Sequence, residues 1–144
     1  MNDKYIVHFL STTKKKMIKF IQNELKKNGL SEIDPSYGNI LTVLYESESM
    51  LTMNEISKKT SKDKSTITVL VNKLCKLEYI EKVKCKNDNR ITYIKLTEKA
   101  NKIRDKYMQI SKNLNKVVYK DFSQDEKEEF LRLLKKMNNN LSII

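Results

Sequence analysis

The sequence is poor in residues that interrupt or cross-link a chain: of 144 positions, two are glycine, one is proline, two are cysteine and one is histidine. Gly29 and Gly38 stand far from any other glycine, which excludes a phosphate-cradling glycine-rich loop. Cys75 and Cys85 are too few for a disulfide framework and read as structural thiols rather than redox sensors. His8 has no partners at ligand spacing, so no metal site and no cofactor is expected, and it reads as a structural or interface residue. No Cys–His or Ser–His–Asp arrangement supports nucleophilic catalysis, and the chain is not expected to be an enzyme. No apolar run approaches membrane-spanning length, and Met1 leads into Asn2-Asp3-Lys4 rather than a signal sequence. The expected compartment is the cytoplasm.

What the chain has in quantity is positive charge. Its 29 basic and 18 acidic residues give a net +11, and 26 of the basic residues are lysine. The excess is concentrated: residues 1–51 carry +1, residues 52–96 carry +6 and residues 97–144 carry +4. A basic central third suits a polyanion, most simply nucleic acid, although a lysine-rich solvated surface has the same composition. The length fits one domain able to bury a sizeable core.

Sparse punctuation predicts long helices. Residues 4–28 carry Ile6, Phe9, Leu10, Met17, Phe20, Ile21 and Leu25 at helix-compatible positions, and Gly29 ends them. Asp34-Pro35 reads as a cap and first helical residue of a helix through Ile40, Leu41, Val43 and Leu44. "TMNE" (52–55) is a capping-box pattern opening a short helix that ends near Thr60. A further helix is expected from about Asp63 to Leu77. It gathers Ile67, Leu70, Val71 and Leu74 on one face and Ser65, Val69, Asn72 and Lys76 on the other, with Thr68 and Lys73 at the margins.

The period then changes from helical to alternating. Glu81, Val83 and Cys85 interleave with Lys82, Lys84 and Lys86; Thr92, Ile94 and Leu96 interleave with Ile91, Tyr93 and Lys95. This is a hairpin whose tip holds Asn87, Asp88, Asn89 and Arg90, Asn and Asp being turn formers. Thr97 is the expected cap of a long helix running to about Tyr119. "SQDE" (123–126) opens a last helix with Phe130, Leu133, Leu134, Met137 and Leu141 on one stripe.

Two short helices joined by a tight turn and followed by a basic hairpin make a winged helix-turn-helix. In that arrangement the second helix presents its N-terminal residues to the major groove and the hairpin reaches the neighbouring groove. Ser65, Thr66, Thr68 and Val69 are the expected base-facing residues. Lys62, Lys64 and Lys73 are the expected phosphate contacts, and Lys84 and Lys86 supply positive field beside Asn87, Asn89 and Arg90 at the wing tip.

The stretch "NEISKKTSKDKSTITVLVNKLCKLEYIEK" (54–82) followed by "NDNRITYIKLTEKA" (87–100) resembles the MarR family of bacterial transcriptional regulators. The shared features are the Ser/Thr-rich start of the recognition helix, the core of Leu70-Val71, Leu74 and Ile80, the wing Asp88-Asn89-Arg90, and the "LTEK" of 96–99. The resemblance implies a single mostly α domain with a small β-hairpin wing: a DNA-binding lobe over about 35–100, and dimerisation helices over 1–30 and 101–144. It implies a homodimer placing two recognition helices in successive major grooves of a pseudo-palindrome. It also implies a repressor, open to modulation by a phenolic or other aromatic effector.

Residue by residue, Arg90 takes the role of minor-groove probe and Asp88 that of holding it. A plain surface ion pair is the competing reading of this pair. Tyr5, His8, Phe9, Tyr37 and Tyr45 are candidates to border an effector cavity, against simple core packing. The chain departs from the family at Asn89 and Val69, where arginine is frequent, and at Glu78, where a small turn residue is usual. Peroxide-sensing members use a thiol in the first helix, and this chain has none there. A sequence-indifferent DNA-coating protein and a winged-helix protein-interaction module remain the competing function classes.

Overall fold

The computed structural model describes residues 2–48 and 50–142. The chain divides into two compact units, residues 1–111 and 112–144.

The first unit begins with a short 3-10 turn, Asp3–Tyr5, capped by the Asn2 side chain, and continues into α1 (Ile6–Lys27). The stop of α1 follows from Gly29, whose φ of 71° is open to a residue without Cβ. The Gly29 N–H reaches the Lys26 carbonyl and the Leu30 N–H reaches Leu25, so two otherwise orphaned carbonyls are satisfied. Buried Leu25 and Leu30 complete this helix end as its expected apolar pair. Asp34 then accepts from the Ser36 N–H and opens a 3-10 turn, Pro35–Tyr37, that runs into α2 (Gly38–Glu46). A Cβ at Gly38 would lie 2.7 Å from the buried Tyr107 hydroxyl, so this position requires glycine for close approach.

After α2 come β1 (Leu51–Thr52), α3 (Met53–Thr60), α4 (Lys64–Lys76), β2 (Ile80–Lys84) and β3 (Thr92–Leu96). Thr52 caps α3 by accepting from the Glu55 N–H, and Asp63 caps α4 by accepting from Thr66. The strands form one antiparallel sheet in the order β1-β3-β2. Two residues carry no period that would mark β1 in the sequence; the strand exists because Leu51 lies opposite Ile94, both buried. The hairpin register places Ile80 opposite Leu96, Lys82 opposite Ile94 and Lys84 opposite Thr92.

The core collects Ile40, Leu41 and Leu44 of α2, Ile56 of α3 and Ile67, Leu70, Val71 and Leu74 of α4. Ile80 and Ile94 of the sheet join them. Each fully buried aliphatic side chain contributes about 1.5–3 kcal/mol. The apolar face of α4 therefore determines which of its faces is left for solvent.

The helix expected from Thr97 to Tyr119 is two helices, α5 (Glu98–Lys102) and α6 (Arg104–Val118). Thr97 does cap α5, through the Ala100 N–H. The break falls at Ile103, whose N–H bonds the Asn101 carbonyl instead of continuing the α ladder. Directly after it, the Arg104 guanidinium donates to the Tyr45 carbonyl at 2.8 Å. Neither glycine nor proline marks the site, so the sequence did not signal it.

In the second unit Ser123 caps α7 (Gln124–Leu141) by accepting from the Glu126 N–H. Phe122 packs edge-on against Tyr119 and Phe130, and Lys127 lies over the Tyr119 ring. Seven α-helices and one three-stranded sheet thus make up the described residues, a mostly α winged-helix fold.

Glu78 follows α4 with φ 64°, a left-handed position normally held by glycine. Glu78→Gly is expected to stabilise the protein by about 1 kcal/mol, read as a higher denaturation midpoint at fixed protein concentration. An unchanged or lower midpoint would show that the backbone there carries no strain.

Candidate nucleic-acid interface

The turn between α3 and α4 is built from Ser61 in the left-handed region (φ 55°) and the Asp63 cap. The Ser57 hydroxyl donates to the Lys62 carbonyl and ties the end of α3 to this turn. Asp63 holds its carboxyl below the ordinary range because it accepts from the Thr66 backbone N–H and from the Thr66 and Ser65 side chains. The start of α4 is thereby fixed, with Lys64, Ser65, Thr66, Thr68 and Val69 all exposed.

All three hydroxyls expected to meet base edges are engaged internally, that of Thr66 with the Asp63 carboxylate. Ser65 Oγ donates to Asp63 Oδ1 at 2.9 Å, and Thr68 Oγ1 donates to the Lys64 carbonyl at 2.8 Å. Toward an external partner these two oxygens act as acceptors. Lys62 is half-buried and lines a cleft with Lys14 and Asp34. Lys73 is exposed and lies within electrostatic range of Asp34, whose lowered pKa stems mainly from its Ser36 hydrogen bonds. Lys64, Lys84 and Lys86 are exposed as well.

The wing places its basic face over α4. Residues directly opposite in the hairpin share a face, so Lys82 and Lys84 lie on the side of buried Ile80 and Ile94. Lys82 Nζ donates to Asn72 Oδ1 of α4 at 2.6 Å. The opposite face is charge-compensated, with Lys95 paired to Glu81 at 3.0 Å. Periodicity alone places Asn72 among the outward residues of α4 and Lys82 among the strand cations, with a site role for neither. Their meeting crosses the reversal between helix and strand, where no periodicity applies.

At the tip, Asp88 organises the turn. Its carbonyl accepts from the Ile91 N–H, and Oδ1 accepts from the Arg90 backbone N–H at 3.0 Å and from Arg90 Nε at 3.1 Å. Arg90 Nη2 reaches Oδ2 at 3.3 Å, while the arginine side chain stays 91% exposed. Asn87 and Asn89 are exposed beside it. The guanidinium is held at its root and presented outward.

The five candidate effector-pocket residues are not brought together. Tyr5, His8 and Phe9 are exposed on or just before α1, and Tyr37 is half-buried. Tyr45 belongs to the core, where its hydroxyl donates to the Ala100 carbonyl at 2.6 Å. Burial first, then nearby Tyr107, pushes its phenol up to about 12. Tyr37 lines a cleft of about 380 Å³ with Leu25, Glu32 and Pro35, and none of the other four lines it. Cys75 and Cys85 are half-buried, and burial raises the Cys75 thiol pKa, which disfavours a reactive thiolate. Among the described residues no group of His, Cys, Asp and Glu could hold a metal ion, and no helix is long and apolar enough to cross a membrane.

Residues 16–107, which contain the whole helix–turn–helix and wing, match the family model of the transcriptional regulators SarA/Rot. The chain belongs to the SarA/Rot family of transcriptional regulators. It is 31% identical over 134 residues to the HTH-type transcriptional regulator SarZ of Staphylococcus haemolyticus, covering 91% of this chain and 85% of that one. The S. aureus MepR–DNA complex superposes with a TM-score of 0.81 at 22% identity, covering 97% of this chain and 98% of MepR. PcaV of Streptomyces coelicolor, in complex with its natural ligand, gives 0.81 at 18%, covering 94% and 92%. These two likenesses establish the fold, which is that of MarR-type winged-helix regulators.

Asp88 has its pKa lowered, first by the Arg90 side chain and then by the Arg90 backbone N–H. The Arg90 contact is therefore complete above the ordinary Asp pKa of about 3.9 and is lost as pH falls through the lowered value. The Arg90 Nε–H resonance should shift with a midpoint below that ordinary value. A midpoint at or above it would contradict the contact.

Proposed function

We propose that the protein is a cytoplasmic homodimeric repressor that binds a pseudo-palindromic operator in double-stranded DNA and yields to a small-molecule effector. The observation that carries this reading is the pairing of a polar, exposed α4 start with a wing tip whose Arg90 is presented outward by Asp88. An α-helix of this kind fits a major groove, and an extended hairpin beside it reaches the adjacent minor groove. Lys64, Lys84 and Lys86 supply phosphate contacts. The winged-helix lobe spans about 35–100, with 1–30 and 101–144 as the dimerisation region.

The dimer is supported by apolar faces left open on the single chain. Ile6, Val7, Phe9 and Leu10 are exposed on α1, and Phe130, Leu131, Leu133, Leu134 and Leu141 are exposed on α7. Long helices with such faces reach stability by burying them against a second copy. The effector is supported by PcaV, which carries a natural ligand on the same fold. The Tyr37 cleft is of small-molecule size and is its candidate seat. An effector acts by binding the DNA-incompetent dimer more tightly than the competent one.

Selection of bound duplexes from random DNA is expected to return a two-fold symmetric motif, and sedimentation a dimer at micromolar concentration. Recovery of no preferred sequence would favour a sequence-indifferent coating protein. Lys84→Ala should flatten the dependence of log affinity on log salt by about one unit per subunit. Arg90→Ala should cost about 1–3 kcal/mol of binding and relax preference at the flanks of the site. Unchanged flanks would count against Arg90 as the minor-groove probe.

A further inference from the structure

Val69 is the one apolar side chain on the outward face of α4, and it is 52% exposed. At helical spacing it stands four residues after Ser65 and three before Asn72, so these side chains are neighbours on the surface. About half of its surface is therefore left open by the described residues.

Asn72 is oriented from the wing. Lys82 Nζ donates to Asn72 Oδ1 at 2.6 Å, and an ammonium can only donate. The amide oxygen must therefore face Lys82, which leaves the two Nδ2 protons as the group turned away from it. The face thus offers a methyl pair beside a hydrogen-bond donor. Ser65 and Thr68, with their protons committed to Asp63 and the Lys64 carbonyl, flank it as acceptors.

The major-groove edges of the four bases differ in how they meet such a surface. Thymine presents an acceptor, O4, next to a C5 methyl. Guanine offers two acceptors and no methyl, so Val69 would lie against a polar edge. Cytosine presents a donor, and adenine a donor beside an acceptor, which suits an amide whose oxygen is free. We infer that Val69 and Asn72 read a thymine in each half-site, with Lys82 as the positioning residue that orients the Asn72 amide. The inference rests on the proposal that α4 enters the major groove.

The test uses the full chain and the operator obtained by random selection, with deoxyuridine replacing thymine at one symmetric pair of positions at a time. Uracil keeps O4 and base pairing and lacks only the methyl. One such pair of positions should weaken wild-type binding by about fourfold per half-site. Val69→Ala, which favours helix, should bind the thymine duplex more weakly and show no uracil effect there. Lys82→Met should lower the preference for thymine over adenine at the same position, because the amide is free to present its oxygen. Absence of any uracil-sensitive position, or equal sensitivity in Val69→Ala, overturns the thymine contact. Weakening of all sequences alike by Lys82→Met overturns its positioning role. A selection that yields no motif sinks the regulator reading itself, an outcome distinct from an operator without a uracil effect.

Discussion

The constraint on which the rest of this structure depends is the abrupt end of α4. The helix must stop at Lys76 and reverse within three residues, so that the hairpin runs back along α4. The reversal is held at three consecutive carbonyls. Lys99 Nζ donates to Leu77 O, Thr97 Oγ1 donates to Glu78 O, and the Thr97 N–H donates to Tyr79 O. Within the helix end itself, the Glu78 and Tyr79 N–H groups reach back to the Cys75 and Leu74 carbonyls. The "LTEK" segment is therefore a clamp on the end of α4 as well as the start of α5.

The clamp extends to the segment after α1. Tyr79 donates its hydroxyl to Glu32, Lys99 lies 3.3 Å from the same carboxylate, and the Lys99 ammonium sits over the Tyr79 ring at 4.4 Å. The Tyr79 hydrogen bond is the main reason that the Glu32 pKa is lowered, and burial is the main reason that the Tyr79 pKa is raised. One buried ring thus connects the α1–α2 segment, the end of α4 and the base of the wing. The glutamate at 78 is held in its left-handed conformation by its own N–H and carbonyl, both bonded, and by the bonded carbonyls on either side.

Much of the fold was legible because its signals are local. A capping side chain acts on an N–H two or three residues away, so Asp34, Thr52, Thr97 and Ser123 marked helix starts, each a cap in the structure. Likewise, Ile67, Leu70, Val71 and Leu74 share a face through helical period alone, and all four are buried. Three features were not legible. β1 is too short to carry a period, and the break at Ile103 coincides with an anchor onto Tyr45 rather than with a helix breaker. For the tyrosine at 45 the sequence left a pocket wall and core packing both open, and the choice falls to a hydroxyl that finds a carbonyl 55 residues away.

The same division holds for the candidate interface. Residue types and spacing alone determined a polar outward face on α4, a basic strand and a turn with Asp88 two residues before Arg90. That local spacing also suffices to bring the Asp88 carboxylate onto the arginine. Only the tertiary structure decided which cations stand free, because Lys62 folds into a cleft while Lys82 crosses to Asn72. Hydrogen-bond direction was decided there too, since the same hydroxyl can donate or accept until a neighbour claims its proton. Patterns along a chain specify faces; the partner of each polar group is set by what the fold brings within about 3 Å of it.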